Sequence, residues 1–87
     1  MARSLKILYF AWVRERMGCA EERLDLPDTV QTVADVVDYL ARRDEAGALA
    51  FAHKTMIRAA LDRRHVQPQT LLGAAQEIAF FPPMTGG

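Results

Sequence analysis

The sequence predicts an α+β fold in which one main helix packs on a mixed β-sheet. Residues 5–13 are apolar on both alternating faces, which is typical of a central strand. Residues 32–43 have the period of an amphipathic helix, and Glu77–Phe81 has the composition of a strand. The order strand, strand, helix, strand, short elements, strand fits a single sheet whose first and last strands are parallel central neighbours.

Length and charge restrict the function classes. The chain of 87 residues is the size of one small domain, without room for an elaborate internal pocket. Its 11 basic and 11 acidic side chains cancel, which argues against nucleic-acid binding. One cysteine cannot form an internal disulfide, and no stretch approaches the ~20 apolar residues of a membrane span. We therefore expect a cytoplasmic protein that contacts neither nucleic acid nor membrane.

The first two strands differ in their exposure. Within 5–13, alternation places three apolar side chains on each face: Leu5, Ile7 and Tyr9 on one, Leu8, Phe10 and Trp12 on the other. Residues 14–18 form a polar connection or a helical turn. Glu21–Leu26 alternates polar and apolar residues, as expected of a half-exposed strand, and Pro27-Asp28 closes it.

The helix pattern begins with a capping signal. Thr32 is the predicted N-cap and Asp35 stands three residues later, as in a capping box. The apolar stripe comprises Val33, Val36, Val37 and Leu40. Gly47 is expected to mark the exit from the helix, and residues 48–54 fit a loop or a short helix.

The remaining chain contains two further strands. Residues 57–61 form a short strand, residues 62–64 a polar turn, and residues 66–72 a connection. Glu77–Phe81 is the last strand, with Ile78 and Phe80 on one face. This sequence of elements is that of the β-grasp, or ubiquitin-like, arrangement.

The last residues form a candidate reactive arm. We expect a β-grasp domain over 1–81 and an extended tail over 82–87. Two prolines stiffen the start of the tail, and two glycines without Cβ atoms can pass a narrow channel. We therefore predict that the reactive group is the terminal carboxyl of Gly87. The predicted partner-binding residues are Phe80, Phe81, Pro82, Pro83, Met84, Thr85 and Gly86.

Three stretches carry a family resemblance: residues 7–18, residues 32–36 and, most specifically, residues 77–87. The chain resembles the small subunit of molybdopterin synthase, the sulfur-carrier group of the MoaD/ThiS family. It departs from the family pattern at Ala75-Gln76, where the family usually has Gly-Asp in a tight turn, so that Gly73 is expected to supply the flexibility. It departs again at Asp62, where an Asn is frequent.

The resemblance implies a chemistry carried out with other proteins. An adenylating enzyme related to ubiquitin-activating enzymes would use ATP to form an acyl-adenylate at Gly87, and a sulfur donor protein would convert it to a thiocarboxylate. The large subunit of molybdopterin synthase, expected in a heterotetramer, would receive the tail and use its sulfur for the molybdopterin dithiolene. The chain itself would bind no cofactor, since it has no Gly-rich phosphate loop. Arg14 lies inside a matching stretch and is a candidate docking residue.

Alternative functions remain open at this stage. The same fold serves carriers for other pathways, such as thiamin, protein modifiers joined to lysines, and interaction modules with an inert tail. Cys19 is read as a small residue near a turn, because no His or second Cys stands nearby. His53 and His65 lack further ligands at metal spacing, so no zinc site is expected.

Overall fold

The computed structural model describes residues 3–83. The elements in chain order are β1 (Arg3–Tyr9), α1 (Ala11–Met17), β2 (Glu21–Leu26), α2 (Val33–Arg43), α3 (Glu45–Ala50), a 3-10 turn (Lys54–Met56), β3 (Arg58–Leu61), β4 (Arg64–Val66) and β5 (Glu77–Phe81).

The five described strands form one mixed sheet in the order β2-β1-β5-β3-β4. β1 pairs with β5 in parallel and with β2 antiparallel, while β3 pairs antiparallel with both β5 and β4. The predicted parallel, central position of the first and last strands is therefore confirmed, and the arrangement is the β-grasp. Both central strands bury one face in a single core with α2.

The core joins the inner face of the sheet to the helices. The largest fully buried side chains belong to β1, β2, β5 and the helical layer: Tyr9, Phe51, Phe80, Leu5, Ile7, Leu26, Leu40, Ile78, Val13 and Val36. Burying a side chain of this size stabilises the fold by about 1.5–3 kcal/mol. The core fixes β5 and hence the position from which the tail begins.

The first strand is shorter than predicted. It ends at Tyr9, and Phe10, with extended backbone, caps helix α1. The apolar run continues past the strand because Val13 and Met17, four residues apart, are the buried face of α1. The predicted connection 14–18 is thus the second half of this helix and its left-handed cap, Gly18 (φ 81°).

The capping prediction for the main helix is confirmed, whereas the role given to Gly47 is wrong. The Asp35 amide donates to Thr32 Oγ1 at 3.1 Å, and the Thr32 amide donates to Asp35 Oδ2 at 3.0 Å. Asp44 ends α2 and caps α3 through its side chain, so that Gly47 lies inside α3. A Cβ atom on Gly47 would overlap with the carbonyl oxygen of Leu40, so glycine is needed here for the close approach of the two helices.

The sequence did not predict β4. Arg64 is the first residue of this three-residue edge strand, and the preceding turn contains only Asp62 (φ 46°) and Arg63 (φ 73°). Two positive φ values in a two-residue hairpin are typical of a type I′ turn. Gly73 has φ 55°, as expected, whereas Ala75 has no positive φ.

Candidate functional site

Strand β5 places the root of the tail at the centre of the sheet. Its last residues, Phe80 and Phe81, lie opposite Tyr9 of β1 and Arg58 of β3, respectively. The alternation predicted for the two phenylalanines is confirmed, since Phe80 is fully buried and Phe81 is half-buried on the other face. Phe80 packs edge-on against Phe51, with ring centroids 5.1 Å apart. The base of the tail is therefore held rigidly from one side.

The tail itself is described only at its start. Pro82 and Pro83 follow β5 outside any strand and are half-buried. The predicted site residues Met84, Thr85, Gly86 and Gly87 lie outside the described residues. Their roles, and the domain boundary after residue 81, remain predictions.

An apolar surface crosses the sheet on the side opposite the core. Strand pairing aligns Leu8 with Ala79, Ala79 with Ala60, and Ala60 with His65. Phe81 lies on the same side as Ala79, two residues along β5. We call these five residues the outer face. Ala60 is buried although it does not belong to the core, which indicates that its neighbours on the outer face cover it.

A histidine forms the end of the outer face. The exposed ring of His65 packs edge-on against Phe81, with centroids 5.2 Å apart and an interplanar angle of 67°. Arg58, which pairs with Phe81, lies on the same side and donates from Nη1 to the Thr55 carbonyl at 3.1 Å. The contact places an ionisable ring beside the residue from which the tail begins. Sequence reasoning missed it, because the register of β4 was not apparent.

A second apolar residue lies near the tail root. Phe10 is 48% exposed, and its amide donates to the Phe80 carbonyl at 3.1 Å. The next residue, Ala11, has φ 54°, a conformation that costs a non-glycine residue roughly 1–2 kcal/mol. The strained turn starts α1 immediately after β1, so that Phe10 stays beside the end of β5.

The candidate docking residue Arg14 is exposed on α1. Its carbonyl accepts a hydrogen bond from Gly18 at 3.0 Å, and among residues 3–83 its side chain has no ion-pair partner. Arg16 differs, because its guanidinium lies 4.5 Å above the Trp12 ring. Arg14 is therefore available to a partner, but the structure does not place it on the outer face.

The surroundings of Cys19 disfavour its thiolate form. Burial, followed by the negative charge of Glu22, raises the pKa of its thiol. Since the thiolate is the nucleophile, a raised pKa lowers reactivity at neutral pH. This agrees with a structural role for the residue.

A charged network ties β2 to the end of α2. Both Glu22 carboxylate oxygens accept hydrogen bonds from Arg43, at 2.9 and 3.0 Å, and the Tyr9 hydroxyl donates to Glu22 Oε2 at 2.6 Å. The bond from Arg43 is the main cause of a lowered Glu22 pKa, while burial raises the pKa of Tyr9. The network lies on the core side, away from the outer face, and its role is structural.

A groove lies between α2 and the β3–β4 edge. It has a volume of about 750 Å³, with Val37, Ala59 and Val66 among its apolar walls and Lys54 at its rim. Lys54 already pairs with Asp38 at 2.8 Å. Among residues 3–83, no group of three His, Cys, Asp or Glu side chains is placed to hold a metal ion. Within the same part of the chain, no helix has the length and apolarity to cross a membrane.

Comparison with known families decides the relationship. Residues 7–87 match the model of the ThiS family, so that the match covers all of this chain except its first six residues. The chain belongs to the ThiS family. The match includes β5, the outer face and the tail.

Curated relatives of this ThiS-family chain share one name. The chain is 34% identical over 83 residues to the molybdopterin synthase sulfur carrier subunit of Haemophilus influenzae, and the match covers 95% of this chain and 99% of that protein. It is 35% identical over 85 residues to the subunit of the same name from Escherichia coli, again covering 95% of this chain and 99% of the relative. The family resemblance seen in the sequence is thereby confirmed.

Solved structures support the fold. SAMP1 from Haloferax volcanii superposes with a TM-score of 0.72 at 24% identity, covering 98% of this chain and all of that one. A putative molybdopterin converting factor, subunit 1, from Pyrococcus furiosus gives a TM-score of 0.74 at 24% identity, over 93% of this chain and 98% of the other. At this identity the likeness concerns the β-grasp fold alone.

Proposed function

We propose that this chain is the sulfur carrier subunit of a molybdopterin synthase and carries sulfur as a thiocarboxylate on Gly87. The observation that carries the proposal is similarity over 95% of the chain to proteins of that name, within a family match that extends through Gly87. Among the described residues, Arg43 pairs with Glu22 and Lys54 pairs with Asp38, and no group of three His, Cys, Asp or Glu side chains is placed to hold a metal ion.

The chemistry follows from the low reactivity of a carboxylate. An adenylating enzyme joins the Gly87 carboxylate to AMP from ATP with release of pyrophosphate. A hydrosulfide equivalent from a sulfur donor protein then displaces AMP and leaves a thiocarboxylate, which is a soft nucleophile. The catalytic side chains and the pterin pocket belong to the large subunit, so this chain acts as an enzyme only as part of the complex, for which we propose a heterotetramer.

The outer face is the proposed docking surface for the large subunit. Phe81 lies on it and is followed directly by Pro82, so a partner that receives the tail must cover this region. Phe10, 48% exposed at the end of the neighbouring strand, extends the apolar surface. Aromatic side chains of this kind are frequent anchors of protein interfaces.

Intact mass spectrometry tests the carrier role. After incubation with the adenylating enzyme, ATP and a sulfur source, we expect the mass to rise by the difference between one sulfur and one oxygen atom. The control lacks Gly87 and should fold normally, as judged by thermal unfolding, without gaining this mass. An unchanged mass in the full chain would contradict the proposal. Transfer of the sulfur to a pterin precursor in the presence of the large subunit would distinguish this role from that of a sulfur carrier for thiamin. Attachment of the chain to lysines of other proteins would instead indicate a protein modifier.

Substitution on the outer face tests docking. Phe81→Asp should weaken binding of the large subunit at least about tenfold, since truncating an interface anchor costs about 2 kcal/mol or more. Leu71→Asp is the matched control, because Leu71 is 66% exposed and not part of the outer face. Equal loss in both variants would exclude the outer face as the specific docking surface.

A further inference from the structure

We propose that Met56 is a specificity-determining residue for the enzyme that adenylates Gly87, because it lies beside the point at which the tail leaves the sheet. The inference rests on the proposed function, since it concerns the first reaction at the Gly87 carboxyl. It adds a contact of the folded domain that the outer face does not include.

Two exposed apolar side chains flank the strand that carries the tail. Phe10, 48% exposed, directly follows β1, and Met56, 52% exposed, stands two residues before β3. Strands β1 and β3 are the two neighbours of β5. Because β1 is parallel and β3 antiparallel to β5, both side chains belong to the end of the sheet at which β5 stops. Together with the half-buried Phe81, Pro82 and Pro83, they form what we call the tail collar.

Met56 belongs to an ordered turn. Its amide donates to the His53 carbonyl at 2.9 Å within the 3-10 turn. The turn is also tied to the sheet, since Arg58, which pairs with Phe81, donates from Nη1 to the Thr55 carbonyl at 3.1 Å. Hydrogen bonds therefore hold a large apolar side chain in water next to the tail root, and exposed apolar patches of this kind mark interaction sites.

The length of the tail indicates what covers the tail collar. Six residues follow Phe81, and fully extended they span at most about 22 Å. An enzyme that brings ATP to the Gly87 carboxyl must therefore enclose the tail close to its root, with the entrance of its active site against the tail collar. The large subunit is proposed to bind the outer face, which does not contain Met56. We therefore assign Met56 to the adenylating enzyme.

The experiment measures exchange of pyrophosphate into ATP by the adenylating enzyme of the same organism, at saturating ATP and increasing concentrations of the full chain. Met56→Asp should raise the KM for the chain at least about fivefold, because it removes an apolar interface contact. The kcat should stay close to wild type, since the tail that reacts is unchanged. Met56→Leu keeps an apolar side chain of similar size and should retain the wild-type KM.

Leu71→Asp is the matched control, because Leu71 is 66% exposed and lies outside the tail collar. Thermal unfolding checks that each variant is folded. A wild-type KM for Met56→Asp, or an equal rise for Leu71→Asp, would overturn the inference while leaving the proposed function intact. An unchanged KM with weaker binding of the large subunit would also overturn it, by assigning Met56 to that partner instead. Failure of the wild-type chain to support any exchange would overturn the proposed function and the inference together.

Discussion

Asp62 holds Glu77 at the base of β5 through a pair of hydrogen bonds. The Glu77 amide donates to Asp62 Oδ1 at 3.1 Å, and the Asp62 amide donates to the Glu77 carbonyl at 3.0 Å. The same carboxylate oxygen accepts from the Gln76 amide at 3.0 Å. The hairpin turn between β3 and β4 thus fixes the start of the strand that carries the tail.

Replacing Asp62 should lower stability in a predictable way. Asp62→Ala removes the acceptor for two backbone amides and puts alanine at φ 46°, so we expect a loss of about 1–3 kcal/mol in the free energy of unfolding. Asp62→Asn retains an acceptor oxygen and tolerates this backbone conformation, so its stability should stay close to wild type. Urea denaturation measures both, and equal stability of the Ala and Asn variants would contradict the assigned role.

The Glu22–Arg43 pair predicts that the stability of the fold depends on pH in the acid range. The Arg43 hydrogen bond holds the Glu22 pKa below its ordinary value, so the ionised carboxylate stabilises the folded state above the unfolded pKa, about 4.3. This contribution is lost as the pH falls through the lowered folded pKa. Glu22→Gln should therefore be less stable than wild type by about 1–2 kcal/mol at neutral pH, and the difference should shrink below about pH 4.

Denaturant titrations at a series of pH values, from neutral to strongly acidic, measure the difference in the free energy of unfolding between wild type and Glu22→Gln. Glu21→Gln is a suitable control, since Glu21 is more than half exposed and its contact with Lys6 at 3.4 Å is a surface pair. A stability difference between wild type and Glu22→Gln that stays constant from neutral to strongly acidic pH would contradict the linkage.

Local signals predicted the main helix and the central strands well. The capping box of Thr32 and Asp35 acts within four residues, and the alternation of Phe80 and Phe81 follows from the strand period alone. The sequence therefore indicated that one of the two phenylalanines faces the core, and the structure shows that it is Phe80. The parallel pairing of β1 and β5 was also predicted, from the order of the elements along the chain.

Features that depend on tertiary register could not be predicted. The residues after Tyr9 fit the apolar pattern of a strand and that of a helix equally well. In the structure, the positive φ of Ala11 ends the strand direction and starts the helix. β4 is too short and polar to give a pattern, so the contact of His65 with Phe81 was invisible in the sequence. Gly47 was read as a helix end because a close helix–helix approach leaves no local signal.

The close approach at Gly47 gives a third prediction. Gly47→Ala should destabilise the chain by about 2–3 kcal/mol, because the added methyl overlaps with the Leu40 backbone and α3 must move away from α2. Gly18→Ala is the comparison, since its φ of 81° causes strain while the space around it is open. Thermal unfolding should show a smaller loss for Gly18→Ala, about 1 kcal/mol, and the reverse order would contradict the steric assignment.

The strained turn at Ala11 predicts a stabilising substitution. Glycine adopts φ 54° without the Cβ clash that alanine incurs, and Ala11 is exposed, so Ala11→Gly removes little packing. We expect the free energy of unfolding to rise by up to about 1 kcal/mol, after part of the gain is offset by greater backbone entropy in the unfolded chain. Ala48→Gly, at an exposed position within α3, should instead lose about 1 kcal/mol, because glycine is unfavourable in a helix interior. Urea denaturation of the two variants gives the test, and destabilisation of both to the same extent would show that the Ala11 conformation is not strained in solution.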